Sequence, residues 1–215
     1  MNGSIQNNNT PLKGEIFRKM IHYSSAVISI GYYFIDKNIV LAVLGISLVS
    51  MICIEFVKYR SDFIYHLYIK YFKHMLREHE YDRKKFTVNG ATWVFISCII
   101  CIIFFPKLIA ITGMLMLSIA DSTAGIIGRM FGKKQYAPNR SYAGTAAFFI
   151  AGILIVALTP KYIYTGTEYL ICAAAVIVTT FAEAFYFHID DNFTIPIVGS
   201  GSLYLFYLIF TNVQF

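Results

Sequence analysis

Leu108-Ile-Ala-Ile-Thr-Gly-Met-Leu-Met-Leu-Ser-Ile-Ala-Asp121-Ser-Thr-Ala-Gly-Ile-Ile-Gly128 is a run of 21 residues whose one charged side chain is Asp121. Its length suits a helix crossing a bilayer, which needs about 20 apolar residues for a hydrocarbon core of about 30 Å. A carboxylate there costs roughly 2.5 kcal/mol or more even on lenient insertion scales, so it needs partners and marks a candidate functional site. Two more runs repeat the anomaly: 39–57 holds only Glu55 and 169–187 only Glu183. The fold these runs predict is all-α, a polytopic integral membrane protein with acidic groups built into its helices.

Composition agrees, with 57% hydrophobic and 14% charged residues, against about 25% charged in soluble domains. Hydropathy gives about seven transmembrane helices, at 20–35, 39–57, 91–105, 108–128, 142–159, 169–187 and 193–211. With the N-terminus cytoplasmic, 15 of the 18 Lys and Arg residues fall on the cytoplasmic side, leaving Lys37, Lys107 and Lys161 outside. That split obeys the positive-inside rule. It also sets Glu55, Asp121 and Glu183 toward the cytoplasmic ends of their helices, where they could line one cavity. The location expected is a bacterial inner membrane, or the endoplasmic reticulum in a eukaryote.

The net charge of +6 is accounted for by these helix ends. A nucleic-acid surface would interleave exposed aromatics with basic residues, whereas here the aromatics lie within spans, so no nucleic-acid partner is expected. Cys53, Cys98, Cys101 and Cys172 all sit in apolar spans and read as small buried residues, neither a disulfide framework nor a zinc site. Residues 1–14 are expected to form a disordered cytoplasmic tail, and 15–215 a single transmembrane domain. In the long connection 58–90, Phe63, Ile64, Leu67, Tyr68, Tyr71, Phe72, Met75 and Leu76 recur at helical spacing opposite polar residues. This predicts one interfacial amphipathic helix, followed by a solvated charged loop at 78–85.

Three stretches concentrate the chemistry. In the first, Glu15, Arg18, Lys19 and His22 share one helical face, which either holds phosphate or simply anchors the first span. In the second, Asp121, Gly125, Gly128 and Gly132 succeed one another at steps of four, three and four. They make a face with no side chain beyond the carboxylate, open to a ligand or to close helix packing. Arg129, Lys133, Lys134 and Arg140-Ser141-Tyr-Ala-Gly144-Thr145 follow. A divalent cation on Asp121, with phosphates on these cations and on backbone N–H groups near Gly144, would explain an intramembrane acid ahead of a basic cluster. The third stretch is Glu183, then Asp190-Asp191-Asn192-Phe-Thr-Ile-Pro196. Asp191 or Asn192 could cap the last span, with Pro196 in its first turn, but consecutive acids without Lys or Arg fit Mg²⁺ better. Gly199-Ser-Gly-Ser202 predicts close packing or a local break.

Taken in order, these stretches resemble the CTP-dependent lipid-alcohol kinases: dolichol kinase, phytol kinase and the CTP-dependent diacylglycerol kinase. The resemblance rests on Arg18-Lys19-x-x-His22, Gly90-Ala91-Thr92, Ala120-Asp121-Ser122 through Gly128 to Phe131-Gly132-Lys133, Ser141-Tyr-Ala-Gly144-Thr145, and Asp190-Asp191-Asn192-x-Thr-x-Pro196. Many dolichol-kinase-like members carry Lys and Glu in the fourth motif, where this chain has Arg140 and Ala143. Its Ala-Gly-Thr form is closer to the phytol and diacylglycerol branch.

The resemblance implies transfer of the γ-phosphoryl group of CTP to a membrane lipid alcohol at the cytoplasmic side, with Mg²⁺ as cofactor. Phosphoryl transfer is largely positioning and charge neutralisation. On that basis Asp121, Glu183 and Asp191 are the expected metal ligands. Arg18, Lys19, Lys133 and Arg140, with Ser141, Gly144 and Thr145, are the expected nucleotide-phosphate binders. Asp121, His22 and Lys19 are the catalytic candidates, with the proton acceptor open between Asp121 and His22. CTP, the lipid alcohol and the membrane are the expected partners, and a homodimer is compatible with the reading. Phosphatidate cytidylyltransferase is the competing assignment, because its Asp-x-x-Ala and Gly-x-x-x-Gly-Lys pattern partly matches 121–144. A transporter would show an inverted repeat of broken helices, and none is visible in the sequence.

Overall fold

The computed structural model describes residues 12–72, 88–138, 140–185 and 190–215. The expected charged loop at 78–85, and Met75 and Leu76 of the expected interfacial helix, lie outside them. The described chain is helical apart from one small hairpin. In order the elements are α1 (Leu12–Ser24), α2 (Ala26–Phe34), α3 (Lys37–Arg60), α4 (Asp62–Phe72), α5 (Gly90–Phe104), α6 (Lys107–Leu115), a π-helical segment (Met116–Asp121) and α7 (Ser122–Phe131). They continue with β1 (Gln135–Ala137), β2 (Arg140–Ser141), α8 (Tyr142–Leu158), α9 (Gly166–Ala184) and α10 (Asp191–Phe210). Four helices are long and apolar enough to cross a membrane: Lys37–Arg60, Lys107–Phe131, Gly166–Ala184 and Asp191–Phe210.

The helix Lys107–Phe131 is the axis of the bundle, 78% buried over its apolar window against 17% for Lys37–Arg60. The run that announced the fold is thus its core, while α3 turns Ile39, Val43, Ile46 and Val49 outward, as a helix facing lipid would. Packing around the axis depends on small residues. A Cβ on Gly113 would collide with Ser200 Oγ and lie 2.8 Å from the carbonyl of Pro196, and one on Gly199 would lie 3.1 Å from Met116 Sδ. The Gly-Ser-Gly-Ser run of α10 is therefore a close crossing, with the helix unbroken.

Short polar residues start the helices. Asp36, Asn89, Ser141, Thr165 and Asp190 each accept a backbone N–H at the N-terminus of α3, α5, α8, α9 and α10. The cap of the last span is thus Asp190, one residue before the positions expected from sequence, and Pro196 lies beyond the first turn. A proline there removes the N–H that would reach the carbonyl four residues back. That carbonyl, on Asn192, instead accepts the Ser97 hydroxyl at 2.8 Å.

Glu55 is buried near the C-terminal end of α3. It accepts the Asn89 N–H at 2.8 Å and the Thr92 hydroxyl at 2.9 Å, tying α3 to the start of α5. α4 follows α3 after the single residue Ser61 and exposes Phe63, Leu67 and Tyr71, the apolar face expected of an interfacial helix. α1 begins at Leu12, three residues ahead of the expected boundary at Glu15, and the first expected span is interrupted at Ser25.

Candidate functional site

One end of the bundle gathers the C-terminal part of α1, the π-helical segment, the hairpin and the facing ends of α9 and α10. On α1, Lys19 is buried and reaches across the chain to Asp121. Its Nζ donates to the Asp121 carboxylate at 2.6 Å and lies 3.3 Å from the Asp121 carbonyl. Gly125 makes this possible, since a Cβ there would collide with Lys19 Cε. The glycine face seen in the sequence is thus occupied by a lysine stem. Further along it, Gly128 packs on Ser141 and Gly144, and Gly132 lies just past the helix end against Ser141.

The π-helical segment ends at Asp121. Such segments widen a helix locally and often sit at functional positions. Two hydroxyl pairs pin α1 to it and to the start of α7: Ser25 with Ser118 at 2.8 Å, and Tyr23 with Thr123 at 2.6 Å. The Thr123 hydroxyl donates to the Ile119 carbonyl at 2.7 Å, so Tyr23 is the donor of its pair.

Arg140 organises the other half of the site. Its guanidinium donates to Glu183 through one nitrogen and, at 2.6 Å, to Asp191 through the other. Charge-assisted pairs of this kind are strong and directional. Burial works against the Arg140 charge, but Asp191, Glu183 and Asp121 outweigh it and hold the guanidinium above its ordinary pKa. Asp121 is near enough for its charge to act on Arg140. Thr145 donates to Glu183 at 3.3 Å and pairs with Tyr136 OH at 2.6 Å.

Of the residues singled out from sequence, the structure brings together Lys19, Asp121, Arg140, Thr145, Glu183 and Asp191. His22 is close enough for its charge to act on Asp121, and Arg18 is partly buried on α1. Lys133 is exposed just after α7. Ser141 caps α8 by accepting the Gly144 N–H at 3.1 Å, so in this arrangement that N–H is already taken. The three acids expected to bind metal are each held by a cation instead, Asp121 by Lys19 and the other two by Arg140. Among the described residues no three His, Cys, Asp or Glu side chains group as a metal site.

Sequence reasoning missed Tyr23, Thr123 and Tyr136. A hydroxyl in a helix is unremarked because it can bond its own backbone. The usable signals were Tyr23 four residues after Lys19, and Ala-Pro-Asn at 137–139 as a turn that would fold Tyr136 back toward Thr145.

No family model and no solved structure matches the chain. Named relatives do. CTP-dependent diacylglycerol kinase 1 of Schizosaccharomyces pombe is 28% identical over 211 residues, covering 90% of this chain and 94% of that protein. Its counterpart in Saccharomyces cerevisiae is 26% identical over 212 residues, covering 87% and 72%. An uncharacterized protein of Rickettsia prowazekii is 25% identical over 182 residues, covering 84% and 88%. Along most of its length the chain is thus similar to fungal CTP-dependent diacylglycerol kinases, and several of the motifs quoted from its sequence meet at one end of the bundle.

Proposed function

We propose that the chain transfers the γ-phosphoryl group of CTP to the hydroxyl of a membrane lipid alcohol, diacylglycerol or an isoprenoid alcohol, at the cytoplasmic face. The observation that carries this is the buried Lys19–Asp121 pair beside the Arg140 clamp. Two cations and three carboxylates, with one negative charge in excess, lie paired at one end of the bundle. An arriving triphosphate competes for Lys19 and Arg140. Drawing Lys19 away frees the Asp121 carboxylate to take the alcohol proton, with His22 the alternative acceptor. Arg18 and Lys133 add positive charge at the rim, and Thr145 holds Glu183 in place.

Asp121, Glu183 and Asp191 have the hard oxygens Mg²⁺ prefers, but their pairing with Lys19 and Arg140 does not fit a resident ion. In this reading magnesium arrives with the nucleotide, as part of the substrate. For topology, α1 and α2 taken together, α3, α5, the axis helix, α8, α9 and α10 make seven crossings, with α4 on the cytoplasmic interface.

The test is which phosphate reaches lipid. Purified protein given diacylglycerol or an isoprenoid alcohol is expected to label it from γ-labelled CTP and not from α-labelled CTP. Label from the α position with phosphatidate as acceptor would instead assign the chain as a cytidylyltransferase.

A further inference from the structure

Four hydroxyls lie along the axis helix Lys107–Phe131: Thr112, Ser118, Ser122 and Thr123. Three of them donate to the carbonyl four residues back, Thr112 to Leu108 at 2.8 Å, Ser118 to Met114 at 3.1 Å and Thr123 to Ile119 at 2.7 Å. Ser122 does not. It is fully buried, and its Oγ has no hydrogen-bond partner among the described residues. A buried hydroxyl left unpaired is costly, so stability alone would favour alanine at this position.

Helical register locates this side chain. Ser118 lies four residues before Ser122 and Gly125 three after it, the spacings that share a helical face. Ser118 meets Ser25 of α1 at 2.8 Å, and Gly125 carries the stem of Lys19, also from α1. Ser122 therefore faces α1 between these two contacts, at the level of His22, which is three residues from both Lys19 and Ser25. The charge of His22 acts on Asp121, in agreement with that level. Ser122 also stands where the π-helical segment gives way to α7, its own N–H bonding the Ile119 carbonyl three residues back. Toward the candidate site, its neighbour on this face is the Lys19 stem, laid across Gly125 to reach Asp121.

Building on the kinase reading, we propose that the Ser122 hydroxyl donates to an oxygen of the transferring γ-phosphoryl group once the triphosphate has drawn Lys19 off Gly125. The lipid oxygen bonds the γ-phosphorus as the bond to the β–γ bridging oxygen breaks. CDP leaves with that electron pair, and the proton of the lipid hydroxyl passes to Asp121. For this attack the phosphorus lies about 3–3.5 Å from the lipid oxygen, and so close to Asp121. A donor on the next residue, on the face that Lys19 vacates, meets the phosphoryl oxygens where charge is redistributed during transfer. The unpaired hydroxyl is then a donor whose acceptor comes with the substrate, and stability is given up to keep it so.

Ser122→Ala and Thr112→Val together test the assignment. Removing an unpaired hydroxyl strands no partner, so Ser122→Ala should melt in detergent at or above the wild-type temperature. Its kcat/KM for CTP, read as γ-label in dioleoylglycerol, should fall about tenfold to hundredfold, with KM for dioleoylglycerol unchanged. The rise in melting temperature that CTP gives the wild type should shrink in the same variant. Thr112→Val deletes a hydroxyl already bonded within its own turn and should leave turnover unchanged. Wild-type kcat/KM in Ser122→Ala overturns the assignment. A loss of stability in step with activity also overturns it, because the hydroxyl is then a packing element. A change confined to KM for dioleoylglycerol does the same, because it moves the hydroxyl to the acceptor lipid. In these three outcomes the wild type still labels lipid and the kinase reading stands, whereas a wild type that labels no lipid alcohol overturns the kinase reading itself.

Discussion

Lys19 reaches Asp121 across the bare face of Gly125, where a Cβ would force its stem to shift. Breaking a buried pair by removing one partner costs about 3–5 kcal/mol, because it strands the other charge, whereas replacing both with neutral groups is far milder. Lys19→Met is therefore expected to lower thermal stability in detergent strongly, and Lys19→Met with Asp121→Asn to recover most of it. Neither protein should turn over CTP. A stable, active Lys19→Met would reduce the pair to decoration. The acid of this pair was legible in the sequence because a charge in a 21-residue apolar run stands out. Its partner was not, since the two lie 102 residues apart and nothing local in either motif says which cation meets which acid. The same holds for Arg140, which read as a phosphate ligand and turned out to grip two carboxylates.

At the scale of the element, α10 is a helix with a proline inside it that does not leave a gap. Ser97 of α5 supplies the missing donor to the Asn192 carbonyl, and Asn192 returns a bond from its side chain to the Gly90 carbonyl at 3.0 Å. Ser97→Ala alone should cost about 1–3 kcal/mol, the penalty of an unsatisfied buried acceptor. In a Pro196→Ala background the cost should shrink, because residue 196 then offers its own N–H to the same carbonyl. A double-mutant cycle on thermal stability measures the coupling, and strict additivity would show that the two donors do not share an acceptor. Helix positions were readable from apolar runs and from the capping residues. The π-helical turn before Asp121 and the break at Ser25 were not, since both arise where α1 docks on the axis helix through Ser25–Ser118 and Tyr23–Thr123.

For the whole molecule, the two ends differ in what their cations do. Lys37 and Lys107 cross over between the α2–α3 and α5–α6 turns, Lys37 donating to the Ile103 carbonyl at 3.2 Å and Lys107 to the Ile35 carbonyl at 3.1 Å. Lys161 donates to the Thr159 carbonyl at 2.5 Å, and Tyr162 beside it reaches the Leu108 backbone. The three lysines that the charge count left on the far side thus share one end, opposite the candidate site. Single cysteines at Asn38 and Lys134, both exposed, in a variant lacking the four native cysteines, should react with an impermeant maleimide from opposite sides of the membrane, Lys134→Cys from the cytoplasm. Labelling from the same side would break the proposed topology. The crossed lysines carry one more consequence. Cations engaged by the carbonyl ends of neighbouring helices have fewer donors left for anionic headgroups or counterions. Those lysines lace the turns of that end together, whereas the cations of the opposite end hold carboxylates.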